Sequence, residues 1–308
     1  METSVVICTY NGADTIIEQL ESIRNQTTKV SEVIICDDRS TDDTVAVVKE
    51  YIDKNGLSEW NIYVNEKNLG YASNFFYAAE RAQGDYIFFC DQDDIWVEDR
   101  VQKLLEQMKN NPEILVLGSE FEPFSVSEDA LSVPAWELAK FKNDGSLEHL
   151  EFKPENIFIG CQGCTMCVRG SFWKTISDYW FDDWAHDEFV WKLALVENGL
   201  YFYHYTSLRR RVHSGNVSLH KMHDIDTRVR FLEQLKKSHE ATLKYSVDKG
   251  KGEYQQKLLK KNIKATGLRI SLLKNKRLFN IIPLALGYRE CYHKKRAIPV
   301  ELYIAIKQ

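Results

Sequence analysis

The chain has 308 residues, 44% hydrophobic and 28% charged, with a formal net charge of −5. That composition excludes a disordered or fibrous chain, and the length suits one large domain, alone or with an appendage. No stretch approaches the about 18 uncharged apolar residues of a membrane span, and no basic region precedes the first apolar run, so neither a transmembrane helix nor a cleaved signal peptide is expected.

The first half alternates between two kinds of segment. Short β-rich runs at 4–9, 32–37, 61–66, 85–91 and 113–121 are separated by helical patterns at 13–25, 40–56, 71–84 and 97–112. Ser40 and Asp42 offer capping chemistry ahead of the second helix, and Gly56, Gly84 and Pro112 supply stops. Strand and helix in this alternation predict right-handed βαβ units on a mostly parallel sheet. The strands are continuous apolar runs, as a sheet covered on both faces requires.

Beyond 121 the pattern blurs, with loops and short pieces expected over 122–155. Strand character returns at 157–170, a helix led by carboxylates is predicted at 183–199, and a strand with a basic loop at 200–218. Residues 225–275 read as helical. The trailing region is also electrically distinct. Residues 1–220 carry 19 Lys/Arg against 37 Asp/Glu, whereas residues 221–308 carry 21 against 8. Two regions are therefore expected, 1–220 catalytic and 221–308 a basic, mainly helical extension. Segment 251–296 mixes apolar residues at helical spacing with a dense Lys/Arg face. It suits either an anionic membrane surface or packing on the catalytic domain or a second subunit in a homo-oligomer. No nucleic-acid motif accompanies the charge, so a nucleic-acid partner is not expected.

Seven cysteines are thinly spread. Cys8, Cys36 and Cys90 lie in apolar runs, where a thiol acts as a small hydrophobe, in keeping with a reducing cytoplasm. Cys161, Cys164 and Cys167 have no fourth ligand nearby in sequence, so a metal cluster there is not expected.

Ligands on such sheets bind outside the carboxyl ends of the strands. Those ends carry Thr9-Tyr10-Asn11, Asp37-Asp38, Asn65 and Asp91-Gln92-Asp93, which should gather on one rim. Asp91, Asp93 and Asp94 close the run "YIFFCDQDDIW". Asp94 alone could cap a following helix, but carboxylates crowded at the end of a buried strand call for a compensating cation. An oxygen-only ligand set favours Mg2+ or Mn2+.

Four stretches, "VVICTYNGADTIIEQLESIRNQT", "IICDDRSTDDT", "NEKNLGYASNF" and "GDYIFFCDQDDIW", resemble the family 2 glycosyltransferases, inverting enzymes of the α/β GT-A fold. The resemblance is dense over 4–120 and looser over 157–218. The "DQDDIW" ending and the later "HD…R-x-H-x-x-N" arrangement look most like bacterial rhamnosyltransferases of surface polysaccharide assembly. The resemblance implies a nucleotide-sugar donor, UDP- or dTDP-linked, and a glycan or lipid-linked acceptor. It implies that Thr9 and Tyr10 line the base and that Asp38, with Asp37 as its neighbour, accepts the pyrimidine N3–H. Asn68 and Asn74 would run past the nucleotide, with Asn11 and Gln92 on the same rim. Asp91 would lie by ribose and metal, Asp93 on the metal, and His213 near metal or phosphate. Arg211 would contact the diphosphate, Asp187 would be the general base, and Glu188 is the neighbour that could exchange roles with it. Cys8 stands where the family often has Pro. The Q-x-x-R-W motif of processive members is absent, so one sugar per encounter is expected. Trp136, Trp173, Trp180 and Trp184 are expected mostly in core, although any could stack on a sugar. The protein is expected at the inner face of the cell membrane or free in the cytoplasm. Rival readings are a sugar-1-phosphate nucleotidyltransferase, whose Gly-rich phosphate loop "TYNGADT" does not supply, a glycoside hydrolase, and a non-catalytic sugar-nucleotide or glycan-binding module.

Overall fold

The computed structural model describes residues 2–126, 132–213, 224–294 and 296–307, apart from the side chain of residue 136. The chain divides into two compact units. One takes Met1–Leu150, Gly160–Ala194 and Gly199–Leu219, the other Glu151–Ile159, Leu195–Asn198 and His220–Gln308.

The first unit opens with β1 (Thr3–Thr9), α1 (Ile16–Arg24), β2 (Glu32–Asp37), α2 (Thr44–Asn55), β3 (Trp60–Val64), α3 (Tyr71–Ala79) and β4 (Tyr86–Cys90). β1 pairs in parallel with β2 and β4, and β2 with β3, so the expected βαβ crossovers form. β2 is buried at every position and β1 nearly so, because helices cover both faces. α3 starts at Tyr71 as read, whereas α1 and α2 start later than their apolar periodicity suggests. Ser40, Thr41 and Asp42 bond to the loop after β1, and Asp42 also accepts the Thr44 N–H, so α2 begins only at Thr44. It ends where Gly56 turns left-handed at φ 61°.

Next come β5 (Ile95–Trp96), α4 (Arg100–Asn110), β6 (Val116–Ser125), the short α5 (Ala135–Leu138), β7 (Leu147–His149), β8 (Cys167–Arg169), α6 (Gly170–Ile176), α7 (His186–Glu197) and β9 (Leu200–Val212). Among the described residues these strands complete one nine-stranded sheet, ordered β3-β2-β1-β4-β8-β6-β9-β5, with β7 on β9. β8 runs antiparallel to β4 and β6, and β6 parallel to β9, so the sheet is mixed though mostly parallel. Two expectations are corrected. Residues 157–170 are not a long strand but chiefly turns, with a 3-10 turn at Gly163–Thr165 before the short β8. Asp94 caps no helix, since β5 intervenes and α4 starts at Arg100 behind Asp99.

The second unit is helical. It holds α8 (Ile225–Asp248), α9 (Glu253–Lys274), α10 (Ile281–Gly287) and α11 (Ala297–Lys307). The Asp224 carboxylate caps α8 by accepting the Thr227 N–H at 2.7 Å. Leu232, Leu272, Leu273, Leu284, Ile298 and Ile304 belong to its apolar core. In that core Glu301 is fully buried, with Arg269 Nη2 at 2.6 Å and the Tyr292 hydroxyl at 3.3 Å as its partners. No described helix is long and apolar enough to cross a membrane.

Candidate active site

The loops after β1 and β2 are knitted together. Asn11, left-handed at φ 49°, donates its N–H to Ser40 Oγ at 2.8 Å and accepts the Thr41 N–H on Oδ1 at 2.8 Å. Gly12 N–H donates to Thr44 Oγ1 at 2.8 Å. Asp37 is fully buried and accepts from Thr9 Oγ1 at 2.8 Å and from the Ser40 N–H at 2.8 Å. Its carboxylate therefore fixes the rim from inside.

Asp38 carries the next layer. Its carboxylate accepts the Leu69 N–H at 2.7 Å, the Gly70 N–H at 2.8 Å and Asn65 Nδ2 at 2.9 Å. Asn65 also donates to Asn74 Oδ1 at 2.9 Å, Asn74 Nδ2 donates to the Cys36 carbonyl at 2.8 Å, and Asn68 Nδ2 donates to the Asp38 carbonyl at 3.0 Å. Asn65, expected on the rim from its place at a strand end, thus links Asp38 to Asn74. Gln92 grips the other side. Its amide accepts the Tyr10 N–H at 2.9 Å and donates to the Tyr10 carbonyl at 3.1 Å, leaving the Tyr10 ring half exposed above the rim.

At the end of β4, Asp91, Asp94 and Cys164 offer ligand atoms within 4.8 Å of one another. Burial and mutual repulsion with Asp93 push the Asp91 carboxyl up from the usual carboxylate range, and Asp94 further still. Asp94 Oδ1 accepts the Arg211 N–H at 3.0 Å, whereas buried Oδ2 accepts no such bond, with only the weakly donating Cys164 thiol against the carboxyl group. Burial also raises the Cys164 thiol well above its ordinary value, so it adds no charge. Crowded carboxylates with an unpartnered buried oxygen fit a hard divalent cation bound through oxygen. Cys164 was missed as a neighbour because nothing local in sequence links 164 to 91. His213 Nε2 lies 2.7 Å from Asp93 Oδ2. Arg211, expected at a diphosphate, braces the tip: Nε donates to the Asp93 carbonyl at 2.8 Å, and Nη2 pairs with Glu18 on α1. Residues 214–218 of the predicted basic loop, Asn216 among them, lie outside the described residues.

At the start of α7 two adjacent carboxylates have different surroundings. Glu188 pairs with buried Lys192 at 2.7 Å and accepts from Trp184 Nε1 at 3.2 Å. Among the described residues the Asp187 side chain accepts one hydrogen bond, from the Glu188 N–H to Oδ1 at 2.7 Å. Burial above all, with the Glu188 and Asp91 charges adding to it, pushes the Asp187 carboxyl up to about 7. His186, buried and stacked on Phe75 with ring centroids 3.9 Å apart, anchors the turn, and burial lowers its pKa to about 3. Gly163 is essential to this approach: a Cβ there would fall 2.5 Å from His186 Nε2 and 3.1 Å from Asp187 Cβ. The Gly163-Cys164 turn therefore touches Asp187 on one residue and the acidic tip on the next. Trp173 and Trp184 are buried, and Trp180 stacks on Phe76 at 4.0 Å. The Trp136 side chain lies outside the described residues.

A mostly parallel sheet with helices on both faces, a rim of polar loops and a carboxylate tip define a GT-A glycosyltransferase. The family model for glycosyl transferase family 2 matches residues 4–176, and the chain belongs to that family. An uncharacterised glycosyltransferase of Rickettsia typhi is 26% identical over 232 residues, covering 72% of this chain and 69% of the relative. The Escherichia coli UDP-Glc:alpha-D-GlcNAc-diphosphoundecaprenol beta-1,3-glucosyltransferase WfaP is 39% identical over 106 residues, 34% of this chain and 41% of that protein. Among solved structures, Staphylococcus aureus TarS 1-349 with UDP-GlcNAc shares the fold at TM-score 0.67 and 18% identity, over 99% of this chain and 90% of that one. The Pyrobaculum calidifontis mannosyltransferase PcManGT, in complex with GDP-Man and Mn2+, gives 0.59 at 14% identity, over 99% and 86%.

Proposed function

We propose that the chain is an inverting, metal-dependent glycosyltransferase that moves one hexosyl or rhamnosyl unit from a UDP- or dTDP-sugar to a glycan or lipid-linked acceptor in assembly of a bacterial surface polysaccharide. The observation that carries the reading is the pairing of functions across the Gly163-Cys164 turn. On one side stands a carboxylate with a single backbone hydrogen bond and a pKa raised to about 7, and on the other a cluster of repelling acids. The relatives support the class of chemistry: WfaP is a UDP-glucose-dependent glucosyltransferase with a diphosphoundecaprenol-linked acceptor, and TarS was crystallised with UDP-GlcNAc.

In this reading Asp187 takes the proton of the acceptor hydroxyl as that oxygen attacks the anomeric carbon. The new C–O bond forms as the bond from that carbon to the donor's phosphate oxygen breaks. Lys192 and Trp184 keep Glu188 out of that role. Tyr10 and Asp38 receive the base, with Thr9, Asn11, Asp37, Asn68, Asn74 and Gln92 holding the rim in shape. Mn2+ or Mg2+ would be held by Asp91 and Asp93, with His213 and the free oxygen of Asp94 beside it, and would neutralise charge on the departing nucleoside diphosphate. Arg211 fixes the backbone beneath that centre.

A panel of UDP- and dTDP-sugars, assayed for slow hydrolysis with Mn2+ and with Mg2+, tests the reading. Turnover of a donor that stops with EDTA and with Asp93→Ala is expected. Turnover unaffected by EDTA would remove the metal from the mechanism, and binding without turnover on any acceptor would leave a binding module.

A further inference from the structure

The second unit carries apolar side chains on the outside as well as the inside of its last helices. On the segment entering and forming α10, Phe279 and Leu286 are 86% and 83% exposed, with Ile282 between them also exposed, at the spacing of one helical stripe. On α11, Val300, Tyr303 and Ile306 make a second exposed stripe, while Ile298, Ile304 and Ala305 of the same helix are buried in the unit's core. A helix that buries one apolar face and leaves another in water calls for a second apolar medium. Pro283 and Pro299 sit in the first turn of their helices, where a missing N–H is tolerated, so both helices form without a kink.

The surrounding charge says what that medium is. Residues 274–308 hold eight Lys/Arg and two Asp/Glu. Of the two acids, Glu301 is buried on Arg269 and Glu290 is paired with Lys261 at 2.8 Å. Arg277 and Arg289 flank the first stripe, and Arg296 and Lys307 flank the second, all exposed. A second copy of this chain, docking through the same face, would bring like charges together. An anionic lipid surface accepts both features: the apolar side chains enter the acyl boundary and the cations meet lipid phosphates. We propose that residues 277–294 and 296–307 form a docking surface for an anionic bilayer, through Phe279, Ile282 and Leu286 on one stripe and Val300, Tyr303 and Ile306 on the other.

The test is flotation of the full chain with vesicles of equal parts phosphatidylglycerol and phosphatidylcholine, compared with phosphatidylcholine alone. This readout needs no turnover, so it fails or succeeds apart from the proposed catalysis. The wild type is expected to float with the anionic vesicles and to be released by salt. The F279S/L286S variant should lose about tenfold or more of its bound fraction, and R277Q/R289Q should lose its preference for anionic lipid. All four positions are exposed, so both variants should melt at the wild-type temperature, which separates lost docking from lost folding. Equal binding to neutral vesicles, binding unchanged in both variants, or a concentration-dependent dimer abolished by F279S/L286S would each overturn the proposal, the last in favour of a second copy as occupant.

Discussion

His213 Nε2 stands 2.7 Å from Asp93 Oδ2, at the tip where Arg211 has already fixed the Asp93 carbonyl at 2.8 Å. The end of β9 and the residue after it therefore hold both the backbone and the side chain of the acid expected to bind the cation. Partners of this kind orient a ligand, and their loss commonly weakens metal binding by 10–100-fold. His213→Ala should lower Mn2+ affinity by about tenfold in calorimetric titration with UDP present. An unchanged isotherm would take His213 out of the centre.

Asp91 and Asp94 keep protons to higher pH than free aspartates because they are buried, with Asp93 repelling both and Asp91 also repelling Asp94. A divalent cation must displace those protons, so affinity should rise with pH until both acids are ionised in the free protein. Binding should strengthen by about tenfold or more from about pH 6 to about pH 8. Calorimetry in two buffers of different ionisation heat should count protons released on binding, and a count of zero would contradict the assignment.

Asp187 should be needed for transfer and not for donor binding. Asp187→Asn should cut the rate by about 10²–10⁴-fold with UDP-sugar affinity kept, whereas Glu188→Gln should act chiefly through the loss of its Lys192 pair. Because the Asp187 carboxyl is pushed up to about 7, kcat/KM should climb as pH rises through that value. The stability sign follows. The unfolded carboxyl ionises first, so stability falls as pH rises from about 4 toward the folded value. Asp187→Asn should therefore be more stable than wild type by about 1–3 kcal/mol at mildly alkaline pH and nearly equal at about pH 4, a difference that thermal melts at both pH values would read.

Gly12 and Gln92 set the height of the Tyr10 ring. A Cβ on Gly12 would fall 2.3 Å from Gln92 Oε1, the atom that accepts the Tyr10 N–H. Gly12→Ala should push the amide off Tyr10 and raise the donor KM severalfold, with about 1–2 kcal/mol of stability lost. Gln92→Ala should raise the KM similarly without the clash. If both variants bind UDP as the wild type does, Tyr10 does not line the base.

How much of this was readable in the chain depended on how local the cause was. β2 falls at 32–37 as read, because a buried parallel strand is an unbroken apolar run. The starts of α1 and α2 were read too early, since Ala13 and residues 40–42 look helical in composition but bond across two loops, whereas α3 starts at Tyr71 as read. Asp187 was ranked above Glu188 by the family resemblance alone, and the physical difference between them rests on the Lys192 pair of Glu188. That pairing was legible in principle as an i, i+4 contact on a helix. Cys164 beside Asp94 was not legible at all, because chain reversal through β8 brings residues 70 apart in number into contact.

Gly163 has no room for even a methyl group between its own backbone and His186, and His186 is wedged by Phe75. The peptide there acts as a rigid shim. Its thickness sets how far Asp187 stands from the acidic tip, much as a gasket sets the gap between two plates. Any side chain at 163 would widen that gap, so in the proposed mechanism base and metal would drift out of step even with every other group intact.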